Sequence, residues 1–131
     1  MKYIKFYSLI IAVFTLNACS KKTYPSNGET IYRTGKNING VKMLDRSASR
    51  IKFIQSCATC HGKSGDRMNG VSIKFSDLSN PELYSVPYTD SLFYRFLDDD
   101  LKSDGTKADI GVIWKMSDQD KRDLLEYLKT L

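Results

Sequence analysis

The sequence predicts a small all-α domain. Three observations carry that expectation: apolar residues recur at helical spacing in three separate stretches, no convincing strand alternation appears, and the Cys57-Ala58-Thr59-Cys60-His61 run needs one helical turn to do its chemistry. The chain has 131 residues, of which 20 are Lys or Arg and 15 Asp or Glu, with a single histidine and three cysteines.

In chain order, the first element is Met1 to Ala18. Lys2 and Lys5 precede an apolar run from Phe6 to Leu16, too short to span a bilayer and suited to the core of a secretory signal. The run ends in Leu16-Asn17-Ala18-Cys19, which resembles the lipobox of bacterial lipoproteins, although Asn17 is a less usual occupant. On that reading residues 1–18 are a lipoprotein signal peptide and Cys19 is the lipidated mature N-terminus. An ordinary signal peptide with an incidental cysteine is the competing reading. Residues 19–41 then form a flexible tether, rich in Lys, Thr, Ser, Asn and Gly and lacking any sustained apolar period. Residues 42–131 form one domain.

Within that domain the first helix is expected over Leu44 to Ser56, where Ala48, Ile51 and Ile54 or Gln55 repeat at helical spacing. A second begins with Thr89 or Asp90 as N-cap and shows Leu92, Phe93, Phe96, Leu97 and Leu101 on one face. The third has Ser117 as N-cap and Asp118 and Asp120 in its first turn, with Leu124, Leu125, Leu128 and Leu131 as its stripe. A loop region with Gly62, Gly65, Gly70, Pro81 and Pro87 separates the first two. Asp98-Asp99-Asp100 opposes the dipole at the end of the second helix and reads as a solvated face. Trp114 reads as core packing.

Charge is unevenly placed. Residues 20–50 carry Lys21, Lys22, Arg33, Lys36, Lys42, Arg46 and Arg50 against only Glu29 and Asp45. A basic stretch beside a lipid anchor suits anionic headgroups. The cations are scattered without interleaved aromatic platforms, which argues against a nucleic-acid partner.

The chemistry centres on Cys57, Cys60 and His61. Two thiols three residues apart face one side of a helical turn and can form thioethers with the two vinyl groups of one porphyrin. The histidine that follows can then serve as proximal iron ligand, and Gly62 keeps a side chain off the porphyrin edge. A structural zinc site needs four ligands, and no other histidine and only Cys19 remain. A redox dithiol belongs with a βαβ pattern, which is absent. The expected cofactor is therefore one covalent haem c.

These residues resemble the class I c-type cytochrome family over Val41 to Leu131. The resemblance implies a small cytochrome c fold in which N- and C-terminal helices cross around one covalently bound haem. The family's small residue eight before the first cysteine and aromatic four before it fall on Ser49 and Phe53, and its partner aromatic-Leu pair on Tyr127-Leu128. The family's proline, whose backbone carbonyl accepts the proximal histidine's N–H, is replaced by Ser76 of Ser76-Asp77-Leu78. For the sixth ligand the family's usual methionine position, within Asp109 to Trp114, holds none. Met116 is the nearest candidate, with a hydrophobic staple before the N-cap as its competing role. Met68 lies close to the proximal side and Met43 precedes the first helix.

The function implied is single-electron transfer by a carrier tethered in the bacterial periplasm, with redox donor and acceptor proteins as partners and no enzymatic activity of its own. Which membrane holds it stays open. Two alternatives stay open with it: a haem-based sensor or ligand-binding module, and a cytochrome subunit of a larger oxidoreductase.

Overall fold

The computed structural model describes residues 24–68 and 70–131. The expected signal peptide and Cys19 lie outside them. Among the described residues five helices make up the regular structure: α1 (Asn27–Thr34), α2 (Cys57–His61), α3 (Phe75–Leu78), α4 (Asp90–Asp99) and α5 (Asp118–Leu128). Among the described residues there is no β-sheet, only isolated bridges such as Leu44 to Trp114. The architecture is small and helical, as the sequence predicts.

The helix that packs on α5 is α1, which falls inside the stretch read as a tether. Ser26 caps it by accepting from the Glu29 amide at 3.1 Å, Glu29 pairs with Arg33 at 2.6 Å, and Gly35 ends it in the left-handed region at φ 68°. Eight polar-rich residues would not hold a helix in water alone; burial of Ile31 and Tyr32 supplies the stability. The crossing is close. A Cβ on Gly28 would lie 1.9 Å from the Asp123 carbonyl oxygen, so only glycine permits the approach. Asn27 locks it by donating to Asp120 at 3.1 Å and Asp123 at 2.7 Å, while the Tyr32 and Tyr127 rings meet at 5.2 Å.

The expected helix over Leu44 to Ser56 is absent. Asp45 Oδ1 accepts from the Ser47 amide and hydroxyl and the Ala48 amide, and Ser49 Oγ donates to the Asp45 carbonyl at 2.6 Å. These local bonds outcompete a helical ladder. The segment instead runs as a strap beside residues 109–116. Asp45 N donates to the Ile113 carbonyl, Ile51 N to Gly111 and Lys115 N to Met43, all within 2.9 Å. The small-and-aromatic pair expected at Ser49 and Phe53 is therefore not on a helix, and Phe53 is 78% exposed. The close helix crossing is made instead by Gly28 and Tyr32 of α1 against Asp123 and Tyr127 of α5.

Helices α4 and α5 start where expected, at Thr89 and Ser117, whose hydroxyls accept from the Leu92 and Asp120 amides. Asp98 and Asp99 are exposed, in keeping with the solvated-face reading, and both oxygens of Asp98 also accept from the buried Lys121 of α5, at 3.1 and 2.8 Å. Asp100 closes α4 in the left-handed region at φ 56°. The loop between α2 and α4 holds the one-turn helix α3, with Leu78 buried.

The crossing sets two expectations. Gly28→Ala should cost about 2–3 kcal/mol through overpacking against the Asp123 backbone, read as a lower denaturation midpoint. Phe53→Ala should change it by less than about 0.5 kcal/mol, as an exposed site does; the opposite ranking would put the crossing on Ser49 and Phe53 after all. The second concerns acid. Burial alone pushes Asp120 up, but donors from Ser117, Asn27 and Asn37 outweigh it and hold the carboxyl below its ordinary value. The stability this contributes is present above the unfolded carboxylate pKa, near about 3.9, and is lost as pH falls through the lower folded value. Asp120→Asn should therefore lower the thermal midpoint at pH 7, and its deficit against wild type should shrink below pH 4.

Candidate functional site

The sequence of α2 is short and would not form a stable helix by itself. Its position is imposed at both ends. A Cβ on Gly35 would lie 1.5 Å from the Gln55 carbonyl oxygen, so the end of α1 presses on the strap that leads into α2. At the other end the Tyr32 hydroxyl donates to the Gly62 carbonyl at 2.7 Å. Arg67 closes the turn by donating to the Thr59 carbonyl, and its amide donates to the His61 carbonyl at 3.1 Å.

Held this way, α2 presents Cys57, Cys60 and His61 to one cavity of about 540 Å³. Its size falls in the range of cofactor and small-molecule sites, and such sites are mostly apolar with a few placed polar groups. Here α5 contributes Leu124 and Leu128, and α4 contributes Phe93, Phe96 and Leu97. Tyr84 and Tyr88 continue the aromatic wall, with ring centroids 5.5 Å apart and Tyr88 edge-on to Phe96 at 6.4 Å. Burial raises both phenols, so they stay neutral. Trp114 also lines the cavity, which accords with a packing role. The residues from Lys102 to Trp114 complete the wall opposite α2.

The motif's own electrostatics are those of an apolar site. Burial pushes the Cys57 thiol up to about 12, which keeps it protonated. A thioredoxin-type nucleophile needs the reverse shift. Burial also lowers His61, with the Val71 backbone opposing to a smaller extent, so the ring is neutral at pH 7. Its Nδ1 is buried without a hydrogen bond of ordinary geometry. The Ser76 carbonyl expected to accept from His61 does not do so; Ser76 sits within α3. Among the described residues no three His, Cys, Asp or Glu side chains converge to hold a metal ion directly, so the zinc reading gains no ligand set.

Methionine placement differs from expectation. Met116 is packed against the hydrophobic core and is not on the cavity wall. Its neighbour Ser117 begins α5, which suits the staple role. Met68 does line the cavity and is bridged to Val71. Met43 is buried in the core at 1% exposure.

Sequence reasoning missed Gly28, Tyr32 and the Tyr84–Tyr88 pair. For α1 a signal existed in Ser26-x-x-Glu29 followed by Gly35, a start-and-stop pattern at helical distance. No protein-family model, curated protein or solved structure matches the chain. Among the described residues no helix is long and apolar enough to cross a membrane.

Proposed function

We propose that the chain is a c-type haem protein of the bacterial cell envelope, acting as a single-electron carrier. One observation carries this reading: Cys57, Cys60 and His61 line a single apolar cavity of about 540 Å³. The donor set, the neutral buried imidazole and the aromatic walls all fit a covalently held haem.

Cys57 and Cys60 would hold it as thioethers. Each thiol adds its S–H across one vinyl group, sulfur to one carbon and hydrogen to the other, with no oxidant required. His61 would be the proximal ligand, its lone pair available because burial keeps the ring unprotonated. Bound there, the group supplies one reversible electron between ferric and ferrous iron. The residues around it exclude water, and the Tyr32–Gly62 bond keeps the end of α2 in place. The α1–α5 crossing supports a class I cytochrome c fold, since Gly28 and Tyr32 are a small and an aromatic residue four apart, packed on Tyr127. They lie far upstream of Cys57, so the reading requires a long strap between crossing helix and motif. The N-terminal sequence supports export and lipidation at Cys19, hence a membrane-tethered periplasmic location with redox proteins as partners.

Haem staining should stay with the chain on denaturing electrophoresis, and should be lost in the Cys57→Ser, Cys60→Ser double variant. Extraction of all colour into acid acetone from the wild type would refute covalent attachment.

A second reading is favoured by the position of Met116. With that side chain off the cavity wall, a haem held by Cys57, Cys60 and His61 would bind a diatomic ligand, as in a sensor or ligand-binding module. Met116→Ala should leave the oxidised and reduced spectra unchanged. Carbon monoxide binding by the reduced wild type then favours the ligand-binding reading. Resistance to carbon monoxide that disappears in Met68→Ala keeps the carrier reading, with Met68 as the sixth ligand.

A further inference from the structure

A second concavity, of about 710 Å³, adjoins the start of α2, where Ser56 lines both it and the apolar cavity. Thr59 faces it, while Cys57, Cys60 and His61 face the apolar cavity. Its walls carry the two most exposed large apolar side chains of the described residues, Phe53 at 78% and Ile38 at 68%. Ile38 is not on a slack loop. Its amide donates to Asn27 Oδ1 at 2.9 Å, and Asn37 Oδ1 accepts from the Asn39 and Val41 amides. The turn therefore holds an apolar side chain out in water, at a standing cost.

Arg33, already paired with Glu29 at 2.6 Å, and Lys36 line the groove, and no Asp or Glu lines it among the described residues. Lys42 faces Lys36 across an isolated bridge. None of the seven ion pairs among the described residues uses Lys36 or Lys42. Tyr24 also lines the groove, beneath the Arg33 guanidinium at 5.5 Å, and it is the first described residue. Cys19 precedes Tyr24 by five positions, a reach of at most roughly 17 Å.

We infer that this groove is a membrane-contact face for an anionic lipid surface. Phe53 and Ile38 enter the headgroup boundary, and Lys36 and Lys42 pair with lipid phosphates. The inference rests on the envelope location proposed above. It adds an orientation: Met68, Val71 and Ile110, the exposed apolar residues of the cavity wall, take no part in lining the groove and stay open to a soluble partner.

The test uses the exported full chain carrying Cys19→Ser, so that no acyl chain contributes. Sedimentation with vesicles of equal phosphatidylglycerol and phosphatidylcholine should show binding that phosphatidylcholine vesicles do not, weakening as salt is raised. Phe53→Ser should weaken binding about tenfold, and Lys36→Glu by a similar factor of about ten. Both sites are exposed, and an unchanged thermal midpoint shows that the fold is intact. No binding to either vesicle, equal binding to both, or indifference to both substitutions overturns the inference. Cell fractionation separates this from the reading beneath it. If wild type and Cys19→Ser distribute alike, lipidation at Cys19 fails while the vesicle result stands. If only the wild type is membrane-bound and the variant ignores vesicles, the anchor stands and the contact face fails.

Discussion

The close approach of α1 to α5 at Gly28 sets where the other elements lie, because two helix backbones meet there at a distance no side chain could occupy. From that contact the position of α2 follows. Tyr32, one turn beyond Gly28, packs on Tyr127 and reaches the Gly62 carbonyl with its hydroxyl. Gly35, at the end of the same helix, meets the Gln55 carbonyl just before the motif. On α5, Leu124 and Leu128 turn toward the cavity, while Leu125 is fully buried in the core. One crossing therefore both builds the wall of the site and aims the cysteines and histidine at it.

The cavity itself imposes the second constraint. A domain of this size has little apolar surface to bury, and much of what it has lines a space of about 540 Å³. Water gains few hydrogen bonds from walls made of Leu, Phe and Ile, whereas a flat apolar cofactor gains contact with all of them. Polar locks join the helices at residues that do not line the cavity: Asn27 and Asn37 on Asp120, and Asp98 with Asp118 on Lys121. They hold α1, α4 and α5 in register without intruding on the cavity.

Part of the site was legible from spacing alone: Cys57, Cys60 and His61 fall within one helical turn and line one cavity. The helices α4 and α5 were legible for a local reason, an N-cap hydroxyl followed by an apolar stripe. The first helix was not. Ala48, Ile51 and Ile54 have helical spacing, but Asp45, Ser47 and Ser49 supply side-chain bonds that compete with the ladder, and strap pairing with residues 109–116 completes the competition. Conversely, α1 is polar in composition, and what makes it a helix is a partner some 90 residues away, through contacts such as Asn27 to Asp123. Met116 shows a similar limit: its place in sequence suited a ligand, yet packing turns it to the core.

Amide hydrogen exchange on the chain produced with and without haem-attachment machinery tests the central claim most directly. If the cavity is built around a covalently held haem, amides of α2, α4 and the residues 102–114 should gain protection of about tenfold or more in the haem-bearing form, while the α1–α5 crossing changes less. Equal protection in the two forms, or protection gained only at sites remote from the cavity, would contradict it.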